Sequence, residues 1–385
     1  MIKLKILALK KVHIAGRGLV VRQLRILASL FRVLRTGTLS EIRPDNMYQP
    51  LGNIKKTMKF KLLTLLILFG NFCYSQITEI RDGKFSPNGD KIAFIAFLGS
   101  VEDIFIYHFD NDSVSRETNS SDLNIELQYK TSINWMNNNQ ILFLSKLNGL
   151  SQQYILDIDK HTLTANGASQ SNEYLLEFDR TSQTSYYISS INGREPAVLM
   201  RKLGENKVTN ISKQNYNFTF PKISQDGNYI AYKQMPLGTP FVYSIKDRKQ
   251  INLKLPKKNT TISSWSPDNK YFLFTHSTFS DNSNFPKASL HLFDLMQSKD
   301  SILIENVDLI YSSIWSSNNN LLGYSLLDKF VLFDIKTRTT KYYNVIGRAV
   351  DWSNDCNLVL FIQDKDLILL DLKNDKNKKI SLTNK

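Results

Sequence analysis

A short pattern recurs seven times along this chain: an anchoring residue, a polar turn, then an alternating apolar run. The copies read FSPNGDKIAFIA from Phe85, WMNNNQILFLS from Trp135, FDRTSQTSYYIS from Phe178 and ISQDGNYIAYK from Ile223. WSPDNKYFLFT follows from Trp265, WSSNNNLLGYS from Trp315 and WSNDCNLVLFI from Trp352. The anchors lie 37–50 residues apart. A unit of that length cannot cover its own apolar faces, so neighbouring copies must pack on one another.

Each copy has a second part. After the alternating run comes another apolar stretch ending in an acid, at Asp110, Asp159, Asp294, Asp334 and Asp371. A shorter polar-apolar segment closes the unit, as in KVTNISK and KKISLTN. Period-two alternation rich in Ile, Phe, Tyr and Val is the strand signal. The SPNGD, NNNQ, SPDN and SSNNN stretches supply turn residues that cap tight reversals. A unit therefore reads as four short strands, a to d, with the anchor near the end of a. A bulky anchor fills the wedge between sheets arranged around an axis. The acids ending strand c are expected to cap the c–d turns. The sequence predicts an all-β, seven-bladed β-propeller over 76–385, at about 44 residues per blade. Six blades is the alternative if the Phe178 copy fails.

WSPDNKYFLFT and FSPNGDKIAFI, each followed by a strand ending in Asp, resemble the WD40-like repeat of TolB-type propellers. The resemblance covers Gln76 to the C-terminus. The first, fifth, sixth and seventh copies carry it best; the second lacks Ser-Pro-Asp-Gly, and the third and fourth depart further. It implies a structural repeat and a propeller without the smaller α/β domain that TolB proteins carry. It does not imply an activity.

The formal net charge of +14 is concentrated at one end. Residues 1–61 hold fourteen Lys or Arg and two acids; the remainder holds 35 basic and 33 acidic side chains. The predicted propeller is nearly neutral and has no basic stripe with interleaved aromatics, which argues against nucleic acid as a partner. Within 58–75, Lys59 and Lys61 precede an apolar run from Leu62 to Phe69, and Cys73 and Ser75 offer small residues for cleavage before Gln76. This is a secretory signal pattern. The run is short for a spanning helix, so a retained membrane anchor is the alternative. Phe72 is too bulky for a lipid-attachment motif at Cys73. Residues 1–57 form a basic extension, expected to be disordered or to precede a true start at Met58. The other reading is a helix on an anionic membrane surface. These features predict a periplasmic or secreted protein. Its remaining cysteine, Cys356, falls in the last a–b turn.

No linear catalytic motif is present. His13, His108, His161, His276 and His291 are scattered, with no zinc spacing. There is no G-x-S-x-G elbow, Walker loop or G-x-G-x-x-G. Asp110 and Asp112 lack the glycine and terminal glutamate of a calcium loop. No metal and no cofactor is expected. Long variable loops on a rigid scaffold are the usual binding elements. The b–c loops of blades three to five nominate Arg194, Met235, Phe279 and Phe285 as a partner-binding set. Two functions remain. One is a non-enzymatic binding or scaffold protein of the cell envelope, engaging an envelope protein or polysaccharide. The other is a propeller enzyme, a polysaccharide lyase or hydrolase, with acids and bases gathered in the central channel. Converging ionisable groups around the axis would favour the enzyme; a sticky loop face would favour the binding protein.

Overall fold

The computed structural model describes residues 77–380 and Leu382, apart from 100, 120–130, 148, 168–169, 191–195, 213–217, 235–238, 252, 254–258 and 279–286. The signal-like segment and basic extension lie outside this set.

Seven antiparallel four-stranded sheets stand in a ring, each built from consecutive strands in the order a, b, c, d. The innermost strands are Ile77–Phe85, Thr131–Trp135, Glu173–Asp179, Phe218–Ile223, Thr260–Trp265, Ser312–Trp315 and Arg348–Trp352. Each touches the innermost strand of both neighbours, and the last meets the first. This is the predicted seven-bladed propeller. The divergent Phe178 and Ile223 copies form complete blades, which removes the six-bladed alternative.

The anchors do what their size suggests. Trp265 packs with Ala231 and Val242 of blade 4, and Trp315 with Leu273 and Leu290 of blade 5. Each anchor thus faces the preceding blade. The indole N–H adds a tie in two places: Trp135 Nε1 donates to the Lys84 carbonyl at 3.0 Å, and Trp265 Nε1 to the Lys222 carbonyl at 2.8 Å.

Five of the a–b turns, those of blades 1, 4, 5, 6 and 7, share one device; in blades 2 and 3 the residue after the anchor is Met136 and Asp179. The serine after the anchor donates to an Asn or Asp two residues on and accepts the backbone N–H five residues on. Ser266 does this with Asp268 (2.7 Å) and Tyr271 (3.0 Å), and Ser353 with Asp355 (2.6 Å) and Leu358 (2.9 Å). Asn269, Asn319 and Cys356 take the left-handed position of these turns, at φ 60°, 64° and 60°. The acids ending strand c cap the c–d turns: Asp294 accepts from Gln297 N and Asp334 from Thr337 N, both at 2.8 Å. In blade 2 the cap is Asp157, not Asp159; the strand ends two residues earlier than expected, and Asp157 accepts from Lys160 N at 3.1 Å. In blade 1 strand c ends at His108, before Asp110.

Among the described residues the ring closes without a shared strand. Blade 7 is the last stretch of chain and blade 1 the first described one, and they pack directly. Ile92, Phe94 and Phe105 meet Leu360, Ile362 and Leu367. Ile80 N donates to the Asp364 carbonyl at 2.8 Å, and Asn354 reaches the Pro87 carbonyl. Asp112 belongs to this seam: it accepts from Tyr107 Oη (2.7 Å) and Lys378 Nζ (2.8 Å).

Candidate functional site at the axial channel

One residue from each blade, immediately before the anchor, forms a ring at the axis: Lys84, Asn134, Glu177, Lys222, Ser264, Ile314 and Asp351. Side chains alternate along a strand, so these residues point away from the anchor and toward the next blade. In six blades the register between strands a and b slips by one residue just before this position; blade 6 is the regular one. Such bulges bend a strand and re-aim its side chains. Two bulge residues, Ser132 and Leu175, sit at φ 61° and 53°.

The ring is tied together by polar contacts through blades 7, 1, 2, 3 and 4. Asp351 Oδ2 accepts from Phe85 N at 2.7 Å. Lys84 Nζ donates to Asn134 Oδ1 at 3.1 Å, and Asn134 Nδ2 to the Leu176 carbonyl at 3.2 Å. Lys222 pairs with Glu177. One turn up, Asp82 Oδ2 accepts from Ile133 N at 3.1 Å, and Arg348 donates to the Arg81 carbonyl. Blades 5 and 6 contribute only Ser264 and Ile314 at this level.

Burial sets the electrostatics. It pushes the Asp351 carboxyl up to about 6, against the pull of Lys84 and of the Phe85 and Trp352 N–H groups; Asp82 adds to the rise. For Lys222, burial works to lower the ammonium, but Glu177, with Asp82 farther off, outweighs it and holds the pKa above its ordinary value. Acids and bases therefore do converge at the axis, as an enzyme would require. They come without histidine, and most are engaged with one another.

A second buried polar group joins blades 2 and 3. Arg201 pairs with Glu173, donates to Tyr187 Oη at 2.7 Å and reaches the Asn166 carbonyl. Burial raises the Glu173 carboxyl despite Arg201. Among the described residues no group of three or more His, Cys, Asp or Glu is placed to hold a metal ion, and no helix is long and apolar enough to cross a membrane.

The face bearing the b–c and d–a connections carries four of the exposed large apolar side chains. They are Tyr174, where strand a of blade 3 begins, and Tyr311, Leu327 and Ile346 around blade 6. Arg194, Met235, Phe279 and Phe285, nominated from the sequence, lie outside the described residues. The blade 6 residues were missed because each sits in a short connection, and only the fold gathers them. The channel ring was in plain view as the column preceding the anchors.

No family model matches the chain, and no curated protein matches it by sequence. Among solved structures it is similar to an oligogalacturonate lyase in complex with manganese, at 10% identity over 74% of this chain and 86% of that one, with a TM-score of 0.58. A puromycin hydrolase gives 10% identity, 81% and 55% coverage and a TM-score of 0.60. The chain spans about half of that hydrolase. TolB from Acinetobacter baumannii gives 13% identity, 79% and 80% coverage and a TM-score of 0.46. At these identities the first two likenesses show the propeller fold alone.

Proposed function

We propose that the protein is an exported, non-enzymatic binding module of the cell envelope. An envelope protein or polysaccharide docks on the face that bears the b–c and d–a connections. The observation that carries this reading is the group of Tyr311, Leu327 and Ile346 exposed around one blade of that face. Grouped apolar side chains on a rigid surface mark a contact site more often than scattered ones do. The mutual pairing of Lys222 with Glu177, and of Lys84 with Asn134, supports a structural role for the ring.

The test is capture of partners from an envelope extract by immobilised protein, wild type against a Tyr311→Ser, Ile346→Ser double variant. Loss of a specific captured component, at unchanged melting temperature, is expected. Equal capture by both would sink the reading. Export is tested separately by sequencing the N-terminus of the envelope-fraction protein. A start at Gln76 is expected; a start upstream of Met58 overturns it.

A second reading rests on Asp351. A half-buried carboxyl poised near 6, beside Lys84 in a channel, has the character of a general acid. On that reading the chain is a polysaccharide lyase or hydrolase. Depolymerisation of a polysaccharide panel, abolished by Asp351→Asn, would favour it over the binding module.

A further inference from the structure

Blade 5 brings together two histidines that no sequence motif joins. His276 lies on strand b, Tyr271–Thr278, and His291 on strand c, Lys287–Asp294. Phe272, Phe274 and Phe293 of these strands pack with Ala231 and Val242 of blade 4. Alternation along each strand puts His276 and His291 on that same face. Their ring centres are 6.3 Å apart, with the planes at 89°.

His291 is fixed from two sides. Phe274 stacks on its ring at 4.6 Å between centres, and its Nδ1–H donates to Asp300 Oδ2 at 2.9 Å. Asp300 stands opposite Phe293, on the a–b side of His291, whereas His276 stands opposite Ser289, on the b–c side. Nδ1 therefore points away from the rung of His276, and Nε2, at the other end of the ring, points toward it. A carboxylate on one nitrogen, with the other left to donate its lone pair, is how a metal-ligating histidine is oriented. Of the four ring nitrogens, His291 Nδ1 is bonded and His276 Nδ1 is sealed from solvent. Among the described residues the two Nε2 atoms are neither. His108 and His161 differ: Ser115 Oγ lies 3.0 Å from His108 Nε2, and Glu117 Oε2 lies 3.4 Å from His161 Nδ1.

The spacing suits one ion. A zinc ion sits about 2.0–2.1 Å from an imidazole nitrogen, so two rings that share it have centres at most about 6.4 Å apart. The pair at 6.3 Å lies within that span, and a small swing of the half-buried His276 bends the bridge toward the tetrahedral angle. Imidazole donors favour Zn²⁺ and its neighbours over Mg²⁺ or Ca²⁺. We propose that His276 Nε2 and His291 Nε2 together bind one divalent ion of the zinc class, with Asp300 orienting His291 and solvent completing the coordination. Two protein donors make this an exchangeable site on blade 5, outside the axial ring and independent of both functional readings.

The experiment is a Zn²⁺ titration of the full, untagged, 15N-labelled chain, followed in long-range 1H–15N imidazole spectra, with Mg²⁺ as the control ion. The His276→Gln and His291→Gln spectra assign the two rings. Zn²⁺ should saturate at one equivalent and displace both Nε2 resonances together, each much further than its Nδ1; Mg²⁺ should displace neither. Asp300→Asn should weaken binding about tenfold, the lower end of the cost of losing a group that orients a ligand. His276→Gln should weaken it at least as much, and it carries the test if His291→Gln does not fold. Nε2 resonances unmoved by millimolar Zn²⁺, displacement of one ring alone, an equal response to Mg²⁺, or undiminished affinity in Asp300→Asn or His276→Gln would each overturn the proposal.

Discussion

The carboxylate of Asp351 accepts the backbone N–H of Phe85 at 2.7 Å and so fastens the last blade to the first. This acid is half-buried at the axis, and loss of hydration there raises its pKa to about 6 from an ordinary 3.8. Folding therefore favours its protonated form. The stability it contributes is complete below about pH 4 and is lost as pH rises through 6, by at most roughly 3 kcal/mol. Glu173, raised by burial, adds a slope of the same sign. Turn acids such as Asp355 and Asp371, held low by hydrogen bonds within their turns, act the other way and only at more acid pH. Melting temperature should fall between pH 4.5 and 7, and Asp351→Asn should flatten that fall while raising stability at pH 7. A thermal scan across pH decides it; an unchanged slope in the variant refutes the assignment.

The Glu173–Arg201 pair is buried on both sides. Removing one partner strands a charge, which costs about 3–5 kcal/mol, whereas removing both costs less. Arg201→Met should therefore be more destabilising than the Glu173→Gln, Arg201→Met double variant. Urea denaturation of the two would show the order.

Gly323 lies in strand b of blade 6 beneath an aromatic lid. A methyl group there runs into the Phe330 ring and comes within 3.1 Å of Trp352. Overpacking of this kind costs about 1–3 kcal/mol. Gly323→Ala is expected to lower the urea midpoint. Gly204, whose position has nothing within 4 Å of an added methyl, but whose φ of 73° disfavours one, provides a comparison of backbone strain alone.

The four tryptophan anchors should not behave alike. Trp265→Phe loses the hydrogen bond to the Lys222 carbonyl; Trp315→Phe loses none. Ring size changes equally in both, so Trp265→Phe should cost about 1 kcal/mol more. Equal losses in parallel denaturation curves would show that the indole bond contributes nothing.

The blades could be read from the chain because every anchor is local: Trp265, its turn and the run after it lie within eleven residues. The capping acids were legible for the same reason, except in blades 1 and 2, where strand c ended early, at His108 and Asp157. The channel ring was half legible. Its members sit one place before each anchor, so the column Lys84, Asn134, Glu177, Lys222, Ser264, Ile314, Asp351 can be written down without coordinates. Which of them pair could not, because Lys222 meets Glu177 across 45 residues of chain. The Glu173–Arg201 pair was hidden likewise; its partners are separated by 28 residues, and no periodicity links them.

Closure by packing rather than by a shared strand has a consequence for how such a ring can be cut. Among the described residues no sheet contains strands from both blade 1 and blade 7, so the seam between them resembles the other seams of the ring. A circular permutant that joins Ile380 to Ile77 through a flexible linker and opens between Tyr343 and Arg348 keeps every four-stranded sheet whole. The order in which blades are strung together is, for this molecule, a matter of bookkeeping rather than of architecture.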